Sequence, residues 1–409
     1  MEDGGGLGFL ITDLSGGGAE RVVATLSESL TEHRRELFLF RDRRVYDFHG
    51  AVHVADVPLF CEGGAGEPRA LMRSLNGFRR LRRWKRERHL DRCVSFLTWP
   101  NLFNVMTRRG EQVILSVRNN PSRAVRGTYA PWIKALMRTL YRRADHVVAI
   151  SEDVRRDLIE NFRLAPTSVT TIYNPICLPE VEALARRPVA PGLDSRGRPT
   201  VITIGRLAIQ KGQWHLIRAF SEVRRTLPEA RLVVVGDGPL RGALSELARD
   251  LGCGPDDVVF PGFLDNPFPL LAASEIFAFP SLWEGLGNVV IEALALGVPV
   301  VTADCHSGPR EILTGDPGDG GVLMIPEDTP CGVLMPSCDG VFRGADEPLT
   351  DAEARWAGVL EELLSDPRRR RRYGEAGRRR AKDFALEPIA DQWRRLLLRL
   401  DQERSCSSR

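Results

Sequence analysis

No apolar run in this 409-residue chain approaches the ~20 residues that a membrane-spanning helix needs, so none is expected. The eight cysteines (Cys61, Cys93, Cys177, Cys253, Cys305, Cys331, Cys338 and Cys406) are scattered. None forms CxxC, and no histidine follows at zinc-finger spacing. They read as reduced thiols of a cytosolic protein. The N-terminus carries acid, Glu2 and Asp3, before its short apolar run, which is the wrong order for a secretory signal. A GxGxxG fingerprint is missing, and so is the Lys-Ser/Thr of a P-loop. Dehydrogenase and kinase readings therefore lose support. Net charge is small, only +3.

The chain is too long for one typical core, so two domains are expected. Charge is unevenly placed. Residues 1–180 hold 28 Lys+Arg against 21 Asp+Glu, a net of +7, which leaves −4 for the remainder. A basic first half and a mildly acidic second half suggest different partners.

Short apolar strands alternate with helical segments. GFLITDL (8–14) runs into Ser15-Gly16-Gly17-Gly18 and an amphipathic helix, the opening of a βα unit. Those glycines would bare backbone N–H groups where an anion is welcome, although a plain tight turn is the commoner explanation. Further strands are predicted at 36–40, 91–97, 112–117, 145–150 and 168–173. Helices are predicted at 68–89, 100–108, 131–143 and 151–162. Prolines 175, 179, 188, 191 and 199 then punctuate a polar segment that reads as a linker. A second βα series follows, with strands at 200–207, 231–238, 256–263 and 274–281. Alternation of this kind predicts an α/β chain of two doubly wound, Rossmann-like domains, with a ligand in the cleft between them. Residues 313–347 are rich in Gly and Pro and read as a loop insertion. Helices are predicted from 349 to the end, and the final ERSCSSR is expected to be disordered.

The stretch SLWEGLGNVVIEALALGVPVVTA (281–303) organises the second half. The run VVIEALAL predicts a helix of about three turns starting near Gly287 and Asn288. Glu292 falls inside it and Glu284 on the preceding loop, so two carboxylates bracket a glycine-lined anion site. That suits a ligand with phosphate in the middle and sugar hydroxyls at both ends. The stretch also fits an ordinary strand–loop–helix–strand unit with a capping Glu. Arg206 is predicted at a strand end and Lys211 at a helix start, where two cations could neutralise a diphosphate. Taken alone, both read as exposed loop cations. Asp237 is a candidate helix cap, and 304–312 a candidate pocket wall.

In this order, IGRLAIQKG (204–212), VVVGDGPLR (233–241), FPSLWEGLGNVVIEALALGVPVVTADC (279–305) and SGPREIL (307–313) resemble the retaining glycosyltransferases of family 4, with the GT-B fold. GGGAERV (16–22) and TIYNPI (171–176) resemble them too. The resemblance spans nearly the whole chain. It implies residues 1–178 as an acceptor domain, onto which a helix at about 387–403 packs back, 179–198 as a linker, and 199–386 as a donor domain. It implies that Arg206 and Lys211 bind the donor diphosphate, that Glu284 holds the donor sugar, and that Glu292 holds the ribose. Arg206, Lys211 and Glu284 would form the catalytic set. Gly285 and the backbone of Leu286, Gly287, Asn288 and Val289 would hold sugar and phosphate. Gly205, Gly236, Gly262 and Phe263 would complete the donor site. Gly16, Gly17 and Gly18 would face phosphate and acceptor. Such enzymes take a nucleotide-sugar, here a UDP-sugar, without a metal or other cofactor. No DxD-type cluster is placed to bind one.

One departure stands out. Many relatives carry a histidine after the strand equivalent to 112–117, whereas this chain has Arg118 and Asn119. Relatives acting on polysaccharide or lipid-linked substrates can share that Arg-Asn pair, which places both residues on the acceptor side. His306 is expected to be a wall residue rather than a base.

Residues 73–92 hold nine Lys+Arg and two acidic residues, with Leu75, Phe78, Leu81, Trp84 and Leu90 interleaved. They read either as a solvated helix with one core face or as a helix that meets anionic lipid, which PWIKALMRTLYRRAD (131–145) could extend. The expected function is transfer of a hexose or N-acetylhexosamine from a UDP-sugar to a saccharide on a lipid carrier, a lipopolysaccharide or an exopolysaccharide. The expected place is the cytoplasm, peripherally on the inner face of the cell membrane, with no nucleic-acid partner. The rival readings are a UDP-sugar 2-epimerase and a non-catalytic basic protein that binds lipid or nucleic acid.

Overall fold

A computed structural model describes residues 4–407 apart from 16, 56–67, 126, 195–196 and 319–320. The chain divides into two compact units, Met1–Pro175 with Leu386–Arg409, and Ile176–Ala385.

The first unit runs β1 (Gly4–Ile11), α1 (Gly18–Ser29), β2 (His33–Leu39), β3 (Ala51–Val54), α2 (Pro68–Glu87), β4 (Leu90–Phe96), α3 (Thr98–Met106), β5 (Gln112–Val117), α4 (Pro121–Ala124), α5 (Ala130–Tyr141), β6 (His146–Ala149), α6 (Glu152–Glu160) and β7 (Val169–Thr171). The strands form one parallel sheet in the order β3-β2-β1-β4-β5-β6-β7. Alternate residues of β1 serve opposite cores. Leu7, Phe9 and Ile11 join one cluster, and Leu10 joins the other. Burial on both faces explains why the strands read as continuous apolar runs.

The second unit runs α7 (Leu178–Ala185), β8 (Thr200–Ile204), α8 (Gln213–Thr226), β9 (Arg231–Val235), α9 (Arg241–Asp250), β10 (Val258–Gly262), α10 (Phe268–Ala272), β11 (Ile276–Phe279), α11 (Asn288–Leu296), β12 (Val300–Ala303), α12 (Pro309–Thr314), β13 (Glu327–Thr329), β14 (Gly332–Met335), α13 (Asp351–Ser365) and α14 (Pro367–Ala381). Its sheet has the order β10-β9-β8-β11-β12-β14-β13. All pairs are parallel except β13 with β14. The last helix, α15 (Leu386–Ser407), belongs to the first unit, where Trp393, Leu396, Leu397 and Leu400 enter the core.

Three expectations need correction. Part of the expected linker is the helix α7, whose Val181 is buried and whose Leu184 carbonyl accepts from Asn266 Nδ2 at 3.0 Å. Pro179 lies in its first turn, where a missing N–H costs nothing. The expected loop insertion holds β14, fully buried and paired with β12. Its Gly332 lies so close to β12 that a Cβ would collide with the Val300 carbonyl. The other GVLM, at 321–324, forms no strand and leaves Val322 and Met324 exposed. The tail expected to be disordered continues α15 to Ser407.

The basic stretch 73–92, whose side chains before residue 76 lie outside the described ones, follows the first of its two readings, a solvated helix with one core face. Trp84 is buried beside Phe38, ring centroids 5.0 Å apart. Lys85 is buried too, its Nζ 2.6 Å from Glu111 Oε1 and 2.6 Å from Asn104 Oδ1. Arg92 lies in β4 and pairs with Asp401. The apolar spacing of the helix turns these groups inward, and only part of the basic charge reaches solvent.

The buried Lys85–Glu111 pair sets a test. Lys85→Ala leaves Glu111 buried without its cation and is expected to cost about 3–5 kcal/mol. The double variant Lys85→Met/Glu111→Leu is expected to recover most of that. Urea denaturation of the three proteins measures both, and a wild-type melt for Lys85→Ala would return this side chain to the surface.

Candidate functional site

Both sheets reverse direction of strand order at one point, β1/β4 in the first unit and β8/β11 in the second. Helices leave opposite faces there, so the carboxyl ends of the two strands stand open to a ligand.

In the second unit, β8 ends in Gly205-Arg206. Gly205 N donates to Val235 O at 3.0 Å, and Gly236 N donates to Gly262 O at 2.9 Å. These bonds draw three strand ends together. A Cβ on Gly236, which has φ +133°, would collide with the Gly205 carbonyl. After β8 a short turn carries Lys211 and closes on Gly212 with φ +59°. A Cβ there would lie 2.6 Å from Pro280 O, so glycine lets this turn sit against the end of β11. Leu282 N donates to Gln210 O at 2.8 Å, and Gln210 Nε2 donates to Trp283 O at 2.9 Å.

The result is an ion pair at the switch point. Lys211 Nζ lies 2.6 Å from Glu284 Oε1 and 4.9 Å above the Phe279 ring. The lysine side chain is 19% exposed and the glutamate 8%, so the pair is largely withdrawn from water but still reachable. Glu284 is held through its backbone as well. Its N–H donates to His306 O at 2.8 Å, and Ser307 N–H donates to its carbonyl at 3.2 Å. Gly308 packs so tightly on Leu286 that any side chain would clash. Cys305 is buried beside Glu284, and burial pushes its thiol well above the usual range, so it is a neutral filler.

Gly287, with φ +91°, opens α11, and Gly297, with φ +71°, closes it. No side chain caps the N-terminus of α11. Its first N–H groups and dipole favour an anion. Asn288 and Val289 form its first turn, and Glu292 lies one turn further on, half-buried. Gly285 and Leu286 are buried on the loop before it. The loop thus carries Glu284 before the helix start, and α11 itself carries Glu292 beyond it.

Arg206 is exposed, and its carbonyl accepts from Gln213 Nε2 at 3.0 Å. Gly262, with φ +85°, ends β10, and Phe263 beyond it is 69% exposed. Asp237 accepts from the next residue, Gly238 N, at 2.8 Å and stays within its own turn. The segment 304–312 is a clamp. Arg310 bridges Asp304 at 2.7 Å and Glu327 at 2.9 Å, two carboxylates that raise its affinity for the proton. Among the described residues, no group of three or more His, Cys, Asp or Glu side chains is arranged to hold a metal ion.

In the first unit Gly17 caps α1 and Gly18 begins it, whereas Gly16 lies outside the described residues. Arg118 and Asn119, neighbours in sequence, part company. Asn119 is exposed, while Arg118 is buried at 6% exposure. The Arg118 guanidinium donates to Asn174 Oδ1 and lies 4.8 Å over the Phe96 ring. Burial lowers its pKa to about 9, against the opposing effect of Glu20. A cavity of about 350 Å³ opens beside it, at the carboxyl ends of β1, β4 and β5.

Sequence reasoning named Lys211 and Glu284 but not their pairing, nor Phe279 beneath them. It also missed Trp99, Asn101 and Tyr141, which line the cavity. The asparagine of TIYNPI was the available signal for the Asn174–Arg118 bond.

The family profile described as Glycosyl transferases group 1 matches residues 198–333, and the one described as Glycosyltransferase Family 4 matches residues 16–178. The chain is similar to the N-acetylgalactosamine-N,N'-diacetylbacillosaminyl-diphospho-undecaprenol 4-alpha-N-acetylgalactosaminyltransferase of Campylobacter jejuni. The two are 30% identical over 394 residues, 94% of this chain and 97% of the relative. It is 34% identical to an uncharacterised glycosyltransferase of Methanocaldococcus jannaschii over 290 residues, 69% of this chain and 71% of that one. Among solved structures, HepE of Anabaena in complex with UDP superposes with a TM-score of 0.73 at 19% identity, covering 96% of this chain and 99% of that chain. That likeness establishes the fold.

Proposed function

The chain belongs to glycosyltransferase family 4 and has the GT-B fold, and from this we propose that it is a retaining enzyme that moves a hexose or N-acetylhexosamine from a UDP-sugar to a lipid-linked saccharide. The observation that carries the reading is the Lys211–Glu284 pair beside the N-terminus of α11. A departing nucleoside diphosphate carries growing negative charge. Lys211, Arg206 and the first N–H groups of α11 would meet it. Glu284 would accept hydrogen bonds from hydroxyls of the transferred sugar, and Glu292 from those of the ribose. HepE was solved with UDP, which supports a uridine donor. The C. jejuni relative is named for a diphospho-undecaprenol substrate, which supports a lipid-linked acceptor.

In the proposed step the bond from the sugar C1 to the β-phosphate oxygen breaks. The acceptor hydroxyl oxygen bonds to C1 from the same face. Its proton passes to the departing phosphate oxygen, so no protein base is needed. UDP leaves with its charge held by the two cations, and no metal is required.

Lys211→Ala is therefore expected to lower kcat about 10²–10³-fold, and excess EDTA to leave wild-type turnover unchanged. Incubation with UDP-sugars and a lipid-linked acceptor, followed by NMR of the product's anomeric proton, measures rate and stereochemistry together. Near wild-type turnover in Lys211→Ala, restoration of a lost activity by Mg²⁺ or Mn²⁺, or an inverted product would each contradict the corresponding part.

We also propose that the first unit rests on anionic lipid at the inner face of the cell membrane. Among the described residues no helix is long and apolar enough to cross it. On α2 the side chains of Arg79, Arg83 and Arg86 are exposed, but Trp84 is not available as an anchor. The α5 segment supplies one instead, with Tyr129 67%, Trp132 77% and Leu136 40% exposed. Aromatic rings and arginines together suit a headgroup layer, each cation contributing about 1 kcal/mol. Sedimentation with anionic vesicles is expected to fall in 1 M salt. It is also expected to fall in Arg79→Glu/Arg83→Glu/Arg86→Glu and in Trp132→Ala. Unchanged sedimentation of both variants would dismiss this surface.

A further inference from the structure

The cavity in the first unit has no part in the donor chemistry above. It lies where the order of strands reverses, between the loops after β1 and β4, with Arg118 entering from β5. Thr12 and Thr98, both half-buried, give it polar walls, while Trp99 and Ile133 give it apolar ones; Asn101 and Tyr141 are buried behind them, with Asn101 Nδ2 donating to Ser116 O at 3.0 Å and Tyr141 Oη at 3.5 Å. A mixture of that kind suits a saccharide, which has hydroxyl edges and apolar ring faces.

Arg118 is the unusual member. Among the described residues, only Nη1 of its guanidinium has a hydrogen-bond partner, Asn174. Nε and Nη2 are buried and have no hydrogen-bond partner among the described residues. No carboxylate there forms an ion pair with it, and Glu20 acts on it only at longer range. A buried cation with two unmet donors destabilises a fold, and an apolar residue of similar volume would pack better. The two unmet donors are also a matched set. Nε–H and Nη2–H form one edge of the planar guanidinium, the edge that makes two parallel hydrogen bonds to a carboxylate or a phosphate. Their desolvation by burial lowers the arginine pKa, which an anion in the cavity would reverse.

We propose that this cavity is an oxyanion-binding acceptor subsite, in which Arg118 takes a carboxylate or phosphate borne by an acidic sugar of the acceptor. The word acceptor rests on the glycosyltransferase reading, but the anion site does not. A prenyl phosphate carries the same headgroup chemistry. The polar walls favour the sugar, because a prenyl chain would leave Thr12 and Thr98 facing hydrocarbon.

Calorimetry on the full chain separates these sources. Methyl glucuronoside and glucose 6-phosphate are titrated beside methyl glucoside, with farnesyl phosphate, inorganic phosphate and UDP as further arms. The acidic sugars are expected to bind about tenfold or more tighter than the neutral one, the worth of a charged hydrogen-bonded pair. Arg118→Met is expected to erase that difference, to keep UDP binding, and to melt no lower than wild type. Equal affinity for acidic and neutral sugars, or a difference that survives in Arg118→Met, overturns the subsite. Arg118-dependent binding of farnesyl phosphate tighter than that of the acidic sugars overturns the saccharide source. If Arg118→Met does not fold, the preference of the wild-type protein decides alone. Loss of UDP binding in the wild type would sink the glycosyltransferase reading and leave the sugar titrations to judge the subsite.

Discussion

A parallel sheet with both faces covered leaves few places where backbone and side chain can meet a ligand. Both sheets in this chain are of that kind apart from the antiparallel edge β13, and β1 contributes buried residues to cores on its two sides. What stays open is the set of strand carboxyl ends, above all where the strand order reverses. That constraint concentrates the unusual features of the chain. Gly212 and Gly236 draw the ends of β8, β9 and β11 close, and a Cβ on either would collide with a backbone carbonyl. The polar residues then have fixed positions. Lys211 and Glu284 come from separate loops, 73 residues apart in sequence, and meet at 2.6 Å.

The pair resolves a difficulty in the simpler picture of two free cations waiting for a diphosphate. A lysine withdrawn from water is costly alone. Glu284 and the Phe279 ring stabilise Lys211 in place, and the Glu284 backbone is locked to residues 306 and 307. Such a lysine is preorganised, so little rearrangement is needed when negative charge develops nearby. The two carboxylates also cease to be equivalent. Glu284 is anchored to a cation on a loop, whereas Glu292 rides on α11 one turn beyond its start. In the first unit Arg118 shows the reverse economy, a buried cation with no carboxylate partner among the described residues.

Much of this was legible in the chain itself. The alternation of apolar strands and helices gave the α/β class, because strands buried on both faces need continuous apolar runs such as QVILSV and RLVVV. Ordered motifs gave the family, and Glu284, Lys211 and Arg206 stood out by charge beside glycine. Less regular elements were not legible. The edge strand β3 is only half-buried, so its pattern is weak, and β14 hides in a segment rich in Gly and Pro. Burial of Trp84 and Lys85 depends on Phe38 and Glu111, residues far along the chain that spacing within one helix cannot reveal. The separation of Arg118 from Asn119 has the same origin. One peptide step at a strand end sends consecutive side chains to opposite surroundings.

The central claim is that the switch point of the second unit divides a nucleotide-sugar between two carboxylates. Calorimetry of UDP and of a UDP-sugar against Glu284→Gln and Glu292→Gln tests it most directly. The account predicts that Glu284→Gln binds UDP as wild type does while losing the added affinity for the sugar, and that Glu292→Gln weakens both ligands alike. Equal losses of UDP affinity in the two variants would contradict it.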